Sequence, residues 1–200
     1  MGVCVEMNKR QAQARKTKKR IYNTSLTLMA KNGFENVTIS DISKKAGVSV
    51  GSFYRYYKSK EDMFFEIYRD IDEHFENEVA PELLESGLSA PGQIVEFFRR
   101  YAAYVAGREL EITCQLYNTN NKLFIDKDRY MLVLLKKIIH SGYEKGELPD
   151  TLSPDEIMVY CLTVARGVVF DWCLNQGNYS LEDRMTGFCK WFFDALMRKQ

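Results

Sequence analysis

Residues 38–63 read TISDISKKAGVSVGSFYRYYKSKEDM. Ile39, Ile42 and Ala46 recur at helical spacing, so a short helix is expected over Ile39–Ala46. Thr38 precedes it and Asp41 stands three residues on, the arrangement in which a hydroxyl accepts from a first-turn N–H and an acid faces the positive end of the helix dipole. Gly47-Val48 supplies a tight turn, and a second short helix is expected over Val50–Tyr56. Ser59 and Asp62 repeat the capping pattern and open a third helix. Two short helices joined at a glycine, with a longer helix on either side, form a helix-turn-helix, here spanning residues 38–57.

The chemistry of that segment fits a surface for duplex DNA. Ile42, Ala46 and Val48 are compact enough for a tight helix crossing, and Phe53 and Tyr57 fall on the same inward side. Ser49, Val50, Gly51 and Ser52 are small, so the backbone can approach base edges in the major groove. Thr38 at the start of one helix and Ser59-Lys60 at the start of another offer groups for phosphates, and Tyr54, Arg55, Tyr56 and Lys58 add donors on the same side. Val50 either makes an apolar contact to a thymine methyl or reads nothing. Tyr54 and Tyr56 also fit the plainer role of half-exposed surface tyrosines.

Charge follows the same division. Residues 1–60 hold thirteen Lys and Arg against three acids, whereas the whole chain has a net charge of only +1. A basic head on an acidic body suits a polyanionic partner. Residues 1–15 are expected to form a basic flexible tail. The first helix is expected from Lys16 to Asn32, with Ile21, Ser25, Leu28, Met29 and Asn32 on one face and Gly33 as its stop.

Downstream of residue 60 the pattern remains helical. Apolar stripes are expected over Lys60–Glu78, over a helix opened by Pro91-Gly92 and closed at Gly107, and over Glu109–Tyr117. Further stripes cover Lys122–Lys145, Asp155–Asn175 and Leu181–Met197. Ser153–Glu156 and Ser180–Asp183 give two more capping patterns. Residues 16–60 are therefore expected as the DNA-binding domain and 61–200 as a second helical domain. The class is all-α, a three-helix head followed by a helical body.

Several other chemistries find no support. The two histidines, His74 and His140, lie in no metal or nucleophile pattern, and no glycine-rich phosphate loop is present, so no enzyme, metal site or cofactor is expected. Five scattered cysteines without a CxxC suggest reduced, mostly buried thiols. No membrane span and no leader peptide are expected, which leaves a cytoplasmic location.

The string GSFYRYYKSKE, Gly51–Glu61, resembles the TetR family signature, glycine-x-leucine-tyrosine-x-tyrosine-phenylalanine-lysine-x-lysine-glutamate. Phe53 replaces the usual leucine and Tyr57 the usual phenylalanine. The resemblance runs from Arg15 to about Phe75. It implies a homodimer on a palindromic operator, with Thr38, Tyr54, Tyr56 and Lys60 on phosphates and Ser49, Val50, Gly51, Ser52 and Arg55 at or near the bases. It further implies pairing through the last two long helices, where Ala165, Gly167 and Gly187 permit close approach. A ligand cavity in the body is also implied. Candidates for its lining are Phe97, Tyr101, Tyr104, Gln115, Tyr117, Asn118, Phe170 and Trp172, with Phe98, Phe124, Thr113, Arg166 and Asp171 as further pointers. Aromatic richness suggests a hydrophobic or aromatic effector that releases a repressor from its operator. The alternative is an activator, or a protein acting through a protein partner without a small-molecule effector.

Overall fold

The computed structural model describes residues 9–117 and 128–197, and every regular element among them is a helix. In order they are α1 (Lys9–Asn32), α2 (Ile39–Ala46), α3 (Val50–Tyr56) and α4 (Asp62–His74), then a π-helical turn (Phe75–Val79) and α5 (Ala80–Leu84). The remainder are α6 (Ala90–Ala106), α7 (Leu110–Leu116), α8 (Tyr130–Glu144), α9 (Pro154–Leu174) and α10 (Leu181–Met197). The chain divides between Ile67 and Tyr68 into two compact units. All four capping patterns form: the N–H groups of Asp41, Asp62, Glu156 and Asp183 donate to the hydroxyls of Thr38, Ser59, Ser153 and Ser180 at 3.1–3.3 Å.

Three boundaries differ from expectation, each for a physical reason. Helix α1 begins at Lys9 rather than Lys16, so residues 9–15 are helix and not tail. Those residues lack apolar periodicity, yet Lys, Arg, Gln and Ala all favour helix intrinsically. Asn32, placed on the inward face, is exposed, whereas Ile21, Ser25 and Met29 are buried. The stripe over Lys60–Glu78 is not one α-helix. Its last turn widens, and the Ala80 N–H donates to the Phe75 carbonyl five residues back. Pro81 explains the widening: it has no N–H to continue the α pattern, and its ring would press on the carbonyl four residues earlier. The stripe over Lys122–Lys145 appears as α8, beginning at Tyr130, while residues 118–127 lie outside the described segments.

In the C-terminal unit α6 packs along α10 and α8, and α9 packs against both α8 and α10. Phe75, Ile94, Phe97, Phe98, Leu135 and Ile138 are essentially without solvent exposure at its centre. The four described cysteines are free, and burial pushes the thiols of Cys161, Cys173 and Cys189 up to about 12, which agrees with reduced, unreactive thiols. Helix α9 is long and apolar enough to cross a membrane by composition, but a third of its most apolar window is buried within the protein.

Gly142 sets the closest approach in this unit. A Cβ there would lie 2.1 Å from the Ala90 Cβ. Beside that contact the Ala90 N–H donates to the Glu147 carboxylate at 2.6 Å, so α6 cannot simply retreat. Gly142→Ala is expected to lower stability by about 1–3 kcal/mol through overpacking, despite the better helix propensity of alanine. Urea denaturation checks it; an unchanged or raised midpoint would contradict the close approach.

Candidate nucleic-acid interface

The N-terminal unit is built around Phe53. It is fully buried, and Ile21, Met29, Ile42 and Met63 share that complete burial. Tyr57 packs one turn on, its ring centroid 5.8 Å from that of Phe53. With Phe53 and Tyr57 turned inward, helical geometry turns Val50, Gly51, Tyr54 and Arg55 outward, and all four are exposed. Ser52 and Tyr56 lie at the edges of that face and are half-buried.

Backbone details fix the presentation of α3. Gly47 adopts φ 64°, a left-handed conformation that stops α2 and that a side chain would strain. The N–H of Val48 returns to the Ser43 carbonyl at 2.9 Å. Ser49 caps α3: its hydroxyl accepts from the Ser52 N–H at 3.1 Å and lies 2.9 Å from the Ser52 hydroxyl. Val48 is half-buried, a lesser part of the crossing than Ile42 and Ala46.

Thr38 forms a full capping box. Its hydroxyl accepts from the Asp41 N–H, and the Asp41 carboxylate accepts from the Thr38 N–H at 2.9 Å. Hydrogen bonds from the Thr38 hydroxyl and then its N–H hold the Asp41 carboxyl below the usual carboxylate range. Thr38 is exposed, but its hydroxyl already serves the cap. Lys60 is placed differently from the expectation of a free phosphate donor. Its ammonium donates to the Phe34 carbonyl at 2.8 Å and lies 4.4 Å from the Phe34 ring centroid, so it ties the loop before α2 to the start of α4. Lys44, Lys45 and Lys58 are exposed bases in the same unit.

The residues expected around a ligand separate into distinct environments. Phe97 is a core residue, wedged edge-on between Phe75 and Phe98 at 4.9 and 5.1 Å. Trp172 is buried and donates its indole N–H to the Tyr179 carbonyl at 3.0 Å. Phe170 is 48% exposed, so it lines no interior of this unit; its position on α9 turns it outward with Gly167 and Leu174. Asn118 and Phe124 lie outside the described residues. Tyr104 is stacked on His74 at 5.0 Å, with the Arg108 guanidinium 4.7 Å from its ring centroid. The Gln115 amide donates to Glu111 at 3.3 Å. Tyr101 and Tyr117 join their hydroxyls, and burial pushes both phenols above their ordinary value.

Of these candidates Tyr101, Phe98 and Arg166 line a cavity of about 20 Å³, together with Arg129, Met131, Leu132, Leu162 and Ala165. That space holds about one water. Arg129 carried no signal in the sequence. It is 8% exposed, its Nε donates to Asp72 at 3.0 Å, and its guanidinium lies 4.3 Å from the Tyr68 ring centroid. The Thr113 hydroxyl is buried without a hydrogen-bond partner among the described residues.

An N-terminal unit that folds around Phe53 and exposes one face of a short second helix, followed by a helical C-terminal unit, defines a helix-turn-helix transcriptional regulator. Residues 21–67 match the family model of bacterial regulatory proteins, tetR family. The fatty acid metabolism regulator protein of Bacillus subtilis (strain 168) is 22% identical over 166 residues, 80% of this chain and 86% of that protein. The probable acrEF/envCD operon repressor of Escherichia coli (strain K12) is 24% identical over 183 residues, 86% of this chain and 82% of that protein. The crystal structure of FadR from Bacillus subtilis in complex with stearoyl-CoA superposes with a TM-score of 0.69 at 20% identity, covering 88% of this chain and 97% of that one. Over residues 21–67 the chain therefore carries the N-terminal region of a tetR-family regulator.

Proposed function

We propose that this protein is a cytoplasmic, homodimeric repressor that binds a palindromic operator and leaves it when a hydrophobic or aromatic small molecule enters the C-terminal unit. The observation that carries the DNA-binding part is the sorting of α3, with Phe53 and Tyr57 buried and Val50, Gly51, Tyr54 and Arg55 exposed. Val50, Gly51 and Arg55 are the residues for base edges, with Ser49 and Ser52 at the N-terminal end of the helix. Tyr54, Tyr56 and the Thr38 end of α2 serve phosphates, and Lys60 acts indirectly by holding the start of α4 to Phe34.

Dimerisation is supported by the outer faces of the last two helices. Gly167, Phe170 and Leu174 on α9, and Gly187, Phe188 and Trp191 on α10, are all exposed at helical spacing. Nothing lies within 4 Å of a Cβ built on either glycine, so a second copy could approach there. Trp191 is 65% exposed, an unusual position for so large an apolar side chain unless a partner covers it. The effector is assigned to the cavity bounded by Tyr101, Arg129 and Arg166, which must open to admit it. Helix α4 begins in one unit and ends in the other, and a population shift of that helix would alter the fit of the heads to two successive groove faces.

Titration of an operator duplex in the presence and absence of stearoyl-CoA, and of a panel of apolar and aromatic compounds, tests the release. An effector is expected to weaken operator binding, and the operator to weaken effector binding by the same factor. A compound that binds the C-terminal unit yet leaves operator affinity unchanged would refute effector-driven release.

A further inference from the structure

We propose that the N-terminal half of α1 is a second DNA-binding element, a cationic stripe that tracks the phosphate backbone beside the site read by α3. The inference rests on the DNA-binding role of the head and extends it to a helix that carries no part of the helix-turn-helix.

Arg15, Lys16, Lys19 and Arg20 are all exposed and hold no ion pair among the described residues. At 3.6 residues per turn they occupy one sector of α1, and the buried Ile21, Ser25 and Met29 lie on the other side. Nothing within the helix balances them. No acid occurs between Glu6 and Glu35, and the first turn of α1 contains none. Arg15–Lys19 and Lys16–Arg20 are like-charged i,i+4 neighbours, which repel. A helix that carries such a stripe along its open side gains from a polyanion that neutralises it.

Its position is fixed next to the reading helix. The Tyr57 hydroxyl, at the end of α3, donates to the Lys18 carbonyl at 3.4 Å. The Lys18 ammonium lies 5.5 Å from the Tyr57 ring centroid and pairs with Glu66 at 2.5 Å. Lys18 is therefore a pin, and the four exposed bases lie immediately on either side of it. From Arg15 to Arg20 the stripe spans roughly 7.5 Å, at 1.5 Å per residue. Duplex DNA offers a charge about every 1.7 Å along its axis with both strands counted, so a stripe of that length meets phosphates beyond those facing α3. The four residues of the stripe are all cationic. The stripe supplies affinity and register, not sequence preference.

The test uses the full chain with Arg15→Gln, Lys16→Gln, Lys19→Gln and Arg20→Gln combined. A control carries Lys137→Gln and Lys145→Gln on the exposed surface of the C-terminal unit. Binding to a selected operator duplex and to a random duplex of equal length is measured from about 50 to 200 mM salt, the range over which phosphate contacts are most visible. Each lost phosphate contact lowers the slope of log affinity against log salt by about 0.9. Four lost contacts would make the variant's decline across that range roughly a hundredfold smaller than the wild type's. The ratio of operator to random affinity should stay constant, the control should match the wild type, and the free variant should melt no lower. An unchanged slope overturns the proposal, and binding of the stripe to anionic vesicles would then name a different partner. A collapsed operator preference would also overturn it, because the stripe would be reading bases. Wild-type protein that binds neither duplex would instead sink the reading of the head itself.

Discussion

Arg129→Ala is expected to lower the unfolding free energy by about 3–5 kcal/mol, the usual loss when one partner of a buried ion pair is removed. Asp72 is only 17% exposed and accepts from the Arg129 Nε at 3.0 Å, from its Nη2 at 3.3 Å and from the Met131 N–H at 3.1 Å. Without the guanidinium one donor remains for a carboxylate that has lost most of its water. The Tyr68 ring loses the cation over its face as well. The loss should not add up across the pair: Asp72→Asn combined with Arg129→Met removes both charges and should cost less than the sum of the single changes. Strict additivity in denaturant titrations of the four proteins would show that the two groups do not interact.

Phe53→Ala is expected to cost about 3–5 kcal/mol and to abolish specific DNA binding. Phe53 is wholly buried, so the change opens a cavity where α3 meets the rest of the head. Tyr54→Ala is the matched contrast. Tyr54 is 54% exposed, so its loss should change stability by less than about 0.5 kcal/mol while still weakening operator binding. Hydrogen exchange separates the two, because α3 amides should lose protection in the first variant alone. Equal protection loss in both would contradict the inward and outward sorting of α3.

Local rules made the head legible. Thr38, Gly47 and Ser59 each act on neighbours within a few residues, and a capping hydroxyl or a left-handed glycine needs no distant partner to be recognised. Helix existence in the body was legible for the same reason. The inner sites were less so. Phe97 and Phe170 are both aromatic residues in helical stripes, and only the packing of α6 and α9 tells core from surface. Arg129 finds Asp72 at a separation of 57 residues, a pairing with no signature in spacing. Lys60 matched a signature position by type, yet its side chain turns back to Phe34, 26 residues earlier. The start of α1 escaped a reading based on apolar periodicity because intrinsic propensity, not an apolar face, makes Lys9–Arg15 helical.

The most direct test of the account is selection of binding sites from a randomised duplex pool by the folded full-length protein, followed by affinity titration near 150 mM salt. The account predicts one enriched motif with two-fold symmetry, bound at least about a thousandfold more tightly than random sequence. Uniform binding across the pool, with salt dependence but no enriched motif, would contradict it.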